Sequence, residues 1–503
     1  MPLWSRSRRT GGRARDRTAA AEVESGFGPV AYSRLASRVD AAVGKARLRG
    51  SAVVAGVTVP VSPGIDPLAR VALAREAGEV WSVFEQPARS QRAAASLGVA
   101  ARVRAVGPGR FDSLAAQCAT ALDGAEVDDL ADDPDAPSGA GTTWIGGFSF
   151  YDDGPHADAW RELPSAELVL PQVAIVRRGG ARPAARMTIN VQVQPDDQAA
   201  DLLARVERLI ERIALDRELP LPSGTGDGGD GSVSATAAPE HYEHAVSRAT
   251  EMIGAGELEK VVLAREVLLR RGSAIDVWSA LRTLRERFPE CTTFAIGRAE
   301  SAFIGASPEL LIRREGRRAS TMALAGSARR AADPEMDEHL GSRLLTSVKD
   351  NLEHVIVVRR IERTLGRLSA WVAVGERPEL IKVKNIQHLA TPIRAQLTEP
   401  HPAIELAGML HPTPAVGGEP WPVAGGAIRS LEGFDRGWYA GGVGWMDQLE
   451  DGEFHVALRS ALIEGASARL FVGAGIVADS DPATELAETE TKLEALLPVL
   501  SFC

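Results

Sequence analysis

The chain has 503 residues, 45% hydrophobic and 25% charged, ordinary values for a globular protein with room for one large core or several domains. Its formal net charge of −10 supplies no global basic field for nucleic acid, so an anionic ligand would need locally gathered cations or a metal. Cys118, Cys291 and Cys503 are far apart and odd in number, which fits a reducing compartment and argues against a disulfide framework or a cysteine zinc site.

The first residues, "MPLWSRSRRTGGRARDRTAA", are Arg-rich and lack an apolar core. Residues 1–22 are therefore expected to be a disordered basic tail rather than a secretory signal. No apolar run approaches a membrane span, so a cytoplasmic protein without membrane or nucleic-acid partners is expected. Residues 23–217 alternate strand-like pieces ("SAVVAGVTVPV", "GEVWSVFEQ", "TTWIGGFSF", "AELVLPQVAIVRR", "RMTINVQV") with helical ones and end in an amphipathic helix, "QAADLLARVERLIERIAL". This half carries no catalytic signature and reads as a scaffold. Residues 218–239, crowded with Gly, Ser, Asp and Pro, read as a linker or loop.

Residues 240–503 carry the rest. A helix is expected from His241 to Ile253, then the strand "LEKVVLAR", a helix in "AIDVWSALRTLRERF", and strands in "TTFAIGR", "SAFIGASPELLIRRE" and "RASTMALAG". One long helix is predicted from Pro334 to Leu365, with an apolar stripe at Leu345, Val348, Leu352, Val355 and Ile356. Short helices follow around His401–Leu410 and Pro420–Leu431. Three strands come next ("GWYAGGVGWMD", "EFHVALRSALIEG", "ARLFVGAGIVA"), and a last helix from Pro482 to Leu497. Short turns between consecutive strands and grouped helices predict an α+β fold: a layered body of large, mostly antiparallel sheets flanked by outer helices.

Several residues stand out against this frame. Lys260 alternates with Val262 and Ala264 on one face of an apolar strand; it is either a strand-end lysine reaching water or a desolvated base. Glu309 follows a Ser-Pro turn at the entry to an apolar strand, where it is either exposed or a carboxyl with a raised pKa, able to act as an acid. Glu353 sits beside the helical stripe, with Asp350 one turn earlier. Glu485, Glu488 and Lys492 share one face of the last helix. That face is either a surface ion pair or half of a carboxylate pair, Glu353 with Glu488, for a hard cation such as Mg²⁺. Arg459, inside an apolar strand, needs an anionic partner, either a core carboxylate or a ligand. "GAGIVA", residues 473–478, matches G-x-G-x-x-A, but the following "DSDP" puts carboxylates where a pyrophosphate would dock. It is not a dinucleotide site, although Gly473 and Gly475 permit close backbone approach.

In order, "EKVVLAR", "GASPELL", "ALAGSARR", "KDNLEHVIVV", "VKNIQHLAT", "LHPTPAVGG", "RGWYAGGVGW", "GEFHVALRSALI", "GAGIVADSDP" and "ELAETETKL" resemble the chorismate-utilising enzymes across roughly residues 240–500. Isochorismate, salicylate, anthranilate and aminodeoxychorismate synthases make up that family. The resemblance implies chorismate as substrate, Mg²⁺ as cofactor, and a monomer. It places Glu353 and Glu488 as metal ligands, with Asp350 and Glu485 behind them. Tyr439 and Arg459 match the residues that hold the enolpyruvyl carboxylate, and Lys492 lies near the other carboxylate. Gly326, Gly473 and Gly475 match backbone contacts to substrate. Lys260 matches the lysine of the water-adding members, where aminating members typically have glutamine, and Glu309 matches its partner acid. Ala415 in "TPAVGG" stands where aminating and salicylate-forming members tend to have threonine. Together these imply an isochorismate synthase, an isomerase serving menaquinone or siderophore biosynthesis. Salicylate synthase is the alternative, with an aminating synthase component behind it.

Overall fold

The computed structural model of the chain describes residues 26–215 and 231–503. The basic tail, residues 1–22, lies outside them, as does 218–230 of the segment read as a linker. The remainder of that segment is structured: Ser232–Ala235 is a short strand against Val267–Arg270, and a helix begins at Pro239.

Two large sheets dominate the described residues, one of 12 strands and one of 10. Every strand pairing within them is antiparallel. Both sheets draw on both halves of the chain. In the larger, Gly78–Gln86 pairs with Thr292–Ala299, and in the smaller, Thr143–Phe148 pairs with Gly442–Asp447. Period-two alternation feeds two cores from single strands: Phe294 and Ile296 enter one, Ala295 the other. The second core is closed by the helices Pro29–Arg49, Ala199–Ile213 and Val277–Arg287. No described helix is long and apolar enough to cross a membrane.

Three expectations are corrected. The predicted long helix is two, Pro334–Thr346 and Val348–Gly366, broken at Ser347, whose backbone is extended (φ −66°, ψ 120°). Ser347 caps the second helix. Its Oγ accepts from Asp350 N at 3.2 Å and in turn donates to the Asp350 carboxylate, a variant of the capping box. The predicted stripe is also not the buried face: Leu345, Val348, Leu352 and Val355 are exposed, and the second helix buries His354, Ile356, Val357, Ile361 and Leu365.

The second correction concerns Arg459, which is not inside a strand. "EFHVALRSALIEG" divides into Gly452–Val456 in the smaller sheet and Ser460–Glu464 in the larger. Arg459 is at the corner between them, with a left-handed backbone (φ 47°). Third, the last predicted helix ends at Leu493, and a separate short helix covers Leu497–Phe502.

Candidate active site

A second corner builds the acid side of the site. Ser301–Ser307 belongs to the larger sheet and Leu310–Glu315 to the smaller, so Glu309 sits where the chain passes between them. The two corners are tied together: Ala306 N donates to Arg459 O at 3.1 Å, Val456 N to Glu309 O at 3.1 Å, and Ser307 Oγ to Val456 O at 2.6 Å. Glu309 and Arg459 thus line one cavity of about 810 Å³, mouth included, between the sheets.

The same cavity is lined by Gly326, Glu353, Ala415, Tyr439, Gly473, Gly475, Glu488 and Lys492. Gly326 is at a bulge in its strand with φ 75°, a conformation that only glycine takes at no steric cost. Tyr439 is buried, its ring stacked on Phe471 at 5.3 Å, and burial pushes its phenol up. Gly473 O accepts from Lys492 Nζ at 2.8 Å. A Cβ on Gly475 would fall inside contact distance of Glu353 Oε1 and 3.1 Å from Lys260 Cε.

Lys260 is fully buried at the cavity's edge, its strand registered so that Val262 faces Gly475. Its Nζ lies 2.9 Å from Glu353 Oε1. Burial pushes the Glu309 carboxyl up to about 8, against opposing pulls from Lys260 and Thr413. An undissociated acid near neutrality therefore lines the cavity, while the buried Lys260 amine, whose charge acts on that acid, lies behind the lining residues Glu353 and Gly475.

Carboxylates accumulate between the helices Val348–Gly366 and Pro482–Leu493. The latter starts where Asp481 caps it, accepting from Thr484 N at 2.9 Å. Glu488 accepts from Lys492 Nζ and from Ser327 Oγ, each at 2.8 Å, and Lys492 helps to hold it ionised. Glu485 pairs with Lys349 at 2.6 Å. Burial raises Glu485, and Glu488 adds to the rise; burial likewise raises Asp350, with Glu353 and Glu488 adding. Three lysines offset this repulsion, Lys349 at Glu485, Lys492 at Glu488 and Lys260 at Glu353. Among the described residues no three His, Cys, Asp or Glu side chains form a ready cage. The donor set instead suits a hard ion held by Glu353 and Glu488, with water or substrate oxygens completing its shell.

Sequence reasoning missed His388 and Cys291. His388 lines the cavity, and its Nε2 lies 2.9 Å from Arg459 Nη2. Burial, then the Arg459 charge, hold the imidazole well below its usual range, so it accepts from the guanidinium. Cys291 Sγ lies 3.6 Å from Arg459 Nη1. His388 falls within the quoted stretch "VKNIQHLAT", but nothing in that stretch points to Arg459; Cys291 carries no local signal, and only the fold brings both to the guanidinium.

A cavity carrying guanidinium and ammonium groups, a buried acid and two further carboxylates, set between antiparallel sheets, defines an enzyme for a small polyanionic metabolite. The chain belongs to the chorismate binding enzyme family, whose model matches residues 41–501. It is 38% identical over 356 residues to the salicylate biosynthesis isochorismate synthase of Pseudomonas aeruginosa, covering 71% of this chain and 74% of that one. It is 36% identical to an isochorismate synthase of Bacillus subtilis, covering 72% and 75%. The solved menaquinone-specific isochorismate synthase of Escherichia coli superposes with a TM-score of 0.72 at 25% identity, over 92% of this chain and all (100%) of that one.

Proposed function

We propose that the protein is an isochorismate synthase, converting chorismate to isochorismate by water addition at C2 and loss of the C4 hydroxyl. The observation that carries this reading is the undissociated Glu309 on the cavity wall within the electrostatic reach of the buried Lys260. Lys260 takes a proton from water as its oxygen bonds C2. The ring double bond shifts, and Glu309 protonates the departing C4 hydroxyl, which leaves as water. One water enters and one leaves, so the reaction is an isomerisation; solvent resets both protons. Arg459 and Tyr439 hold the enolpyruvyl carboxylate, and Lys492 faces the ring carboxylate. Glu353 and Glu488 would hold Mg²⁺, which when bound would anchor the ring carboxylate and offset its charge.

Product analysis tests the reading. Chorismate incubated with the chain should give an equilibrating mixture with isochorismate only when Mg²⁺ is present, and ammonium should change nothing. Salicylate with pyruvate would instead assign the lyase branch, and ammonium-dependent amination would remove Lys260 as the deciding residue.

A further inference from the structure

Arg459, half-buried on the cavity wall, has no carboxylate partner, in contrast to two buried arginines of the fold. Arg298 is paired with Glu167 at 2.7 Å, and Arg436 with Glu432. The partners of Arg459 are His388 Nε2 at 2.9 Å and Cys291 Sγ at 3.6 Å, and neither is an anion. The field of Glu290 reaches the guanidinium, but that side chain is exposed and makes no ion pair with it. Cys291 is 1% exposed, in the core where the helix Val277–Arg287 meets the strand Thr292–Ala299. Burial pushes its thiol up to about 11, so it is uncharged at neutral pH. A guanidinium partly withdrawn from water beside neutral partners gains when an anion reaches it.

We propose that Cys291 is a positioning residue for Arg459: a neutral sulfur fixes the guanidinium on the cavity wall and leaves its whole charge for the substrate carboxylate. This rests on the cavity being the chorismate site. A carboxylate at position 291 would satisfy Arg459 from behind and compete with substrate, whereas an amide of the same shape would not.

The experiment compares Cys291→Asn with Cys291→Asp in steady-state turnover of chorismate and in thermal melting. Loss of one charge-assisted contact made equally in ground and transition state predicts that Cys291→Asp raises KM about 30-fold with kcat within about fivefold. Cys291→Asn should stay within about threefold of wild type in KM, because no charge is introduced. Equal KM values for the two variants would overturn the proposal, since the thiol would then only fill space. Should Cys291→Asp fail to fold, Cys291→Val and Cys291→Ser decide. Valine, unable to contact the guanidinium as a polar group, should raise KM about tenfold and serine restore it; equal values overturn the proposal. If the wild-type chain is inert toward chorismate, the functional reading falls alone. Malonate, a plain dicarboxylate, should still raise the melting temperature of Cys291→Asn and not that of Cys291→Asp; equal shifts would overturn the proposal.

Discussion

Lys260 Nζ stands 2.9 Å from Glu353 Oε1, within ion-pair reach yet not aligned for a hydrogen bond, and the lysine is shut off from water. One contact joins the residue assigned to base chemistry to one assigned to the metal. Lys260→Gln keeps the length of the side chain and removes its basicity. Turnover of chorismate to isochorismate should fall about 10²- to 10⁴-fold, the usual worth of a general base. Chromatographic rate measurement checks this, and full activity in the variant would reject Lys260 as the base.

Glu309 supplies a pH test. Its carboxyl titrates at about 8 in the folded chain against an ordinary 4.5, with burial as the main cause. As the acid it works protonated, so kcat should decline as pH rises through about 8. The linkage has the same direction. The folded chain binds this proton more tightly than the unfolded chain, so the associated stability is full below the unfolded value and is lost as pH rises through the folded one. Glu309→Gln should lower kcat about 10²-fold or more. It should also hold its denaturation midpoint better than wild type does between pH 6 and about 9. Parallel midpoint curves would contradict the raised carboxyl.

Gly475 tests the metal assignment without touching a ligand. Its missing Cβ leaves room for Glu353 Oε1, the mobile end of a side chain, so Gly475→Ala should displace the carboxylate rather than unfold the sheet. Melting should move by no more than a few degrees, the equivalent of about 1 kcal/mol. The Mg²⁺ concentration for half-maximal activity should rise about tenfold or more, as expected when a ligand is misplaced. An unchanged Mg²⁺ requirement would count against Glu353 as a ligand.

Arg436 tests the frame. Its guanidinium is buried against Glu432, donates to Val416 O at 2.8 Å and Val262 O at 2.9 Å, and lies 4.2 Å from the Phe150 ring centroid. It thereby ties the Ala415–Val416 loop to the Lys260 strand. Arg436→Ala leaves Glu432 buried and unpaired, which should cost about 3–5 kcal/mol in chemical denaturation. A loss under about 1 kcal/mol would mean that water replaces the arginine at little cost.

The residues proposed for the chemistry each lie in a short motif, and the order of those motifs along the chain is itself a signal. The antiparallel layering was legible from short turns between apolar strands. The corner at Arg459 was not: apolar residues flank it on both sides, Val456 and Leu458 before and Ala461 and Leu462 after, and nothing local says that the two ends join different sheets. The break at Ser347 did carry a signal, the Ser-x-x-Asp cap, which the continuous helical periodicity on either side concealed. Cys291 gave none, and the stretch holding His388 gave no hint of its partner, since contacts between residues distant in sequence are tertiary facts.

Strand pairing between the halves, Gly78–Gln86 with Thr292–Ala299 and Thr143–Phe148 with Gly442–Asp447, has a further consequence. Every residue assigned to the chemistry comes after position 259, yet that half made alone would present two raw sheet edges open to aggregation. The peptide link across 216–230 is not what unites the two halves; the ladders are. Chains ending at Leu215 and starting at Gly231, produced together, should associate as an obligate heterodimer with one working site, the enzyme's own sheets serving as its subunit interface.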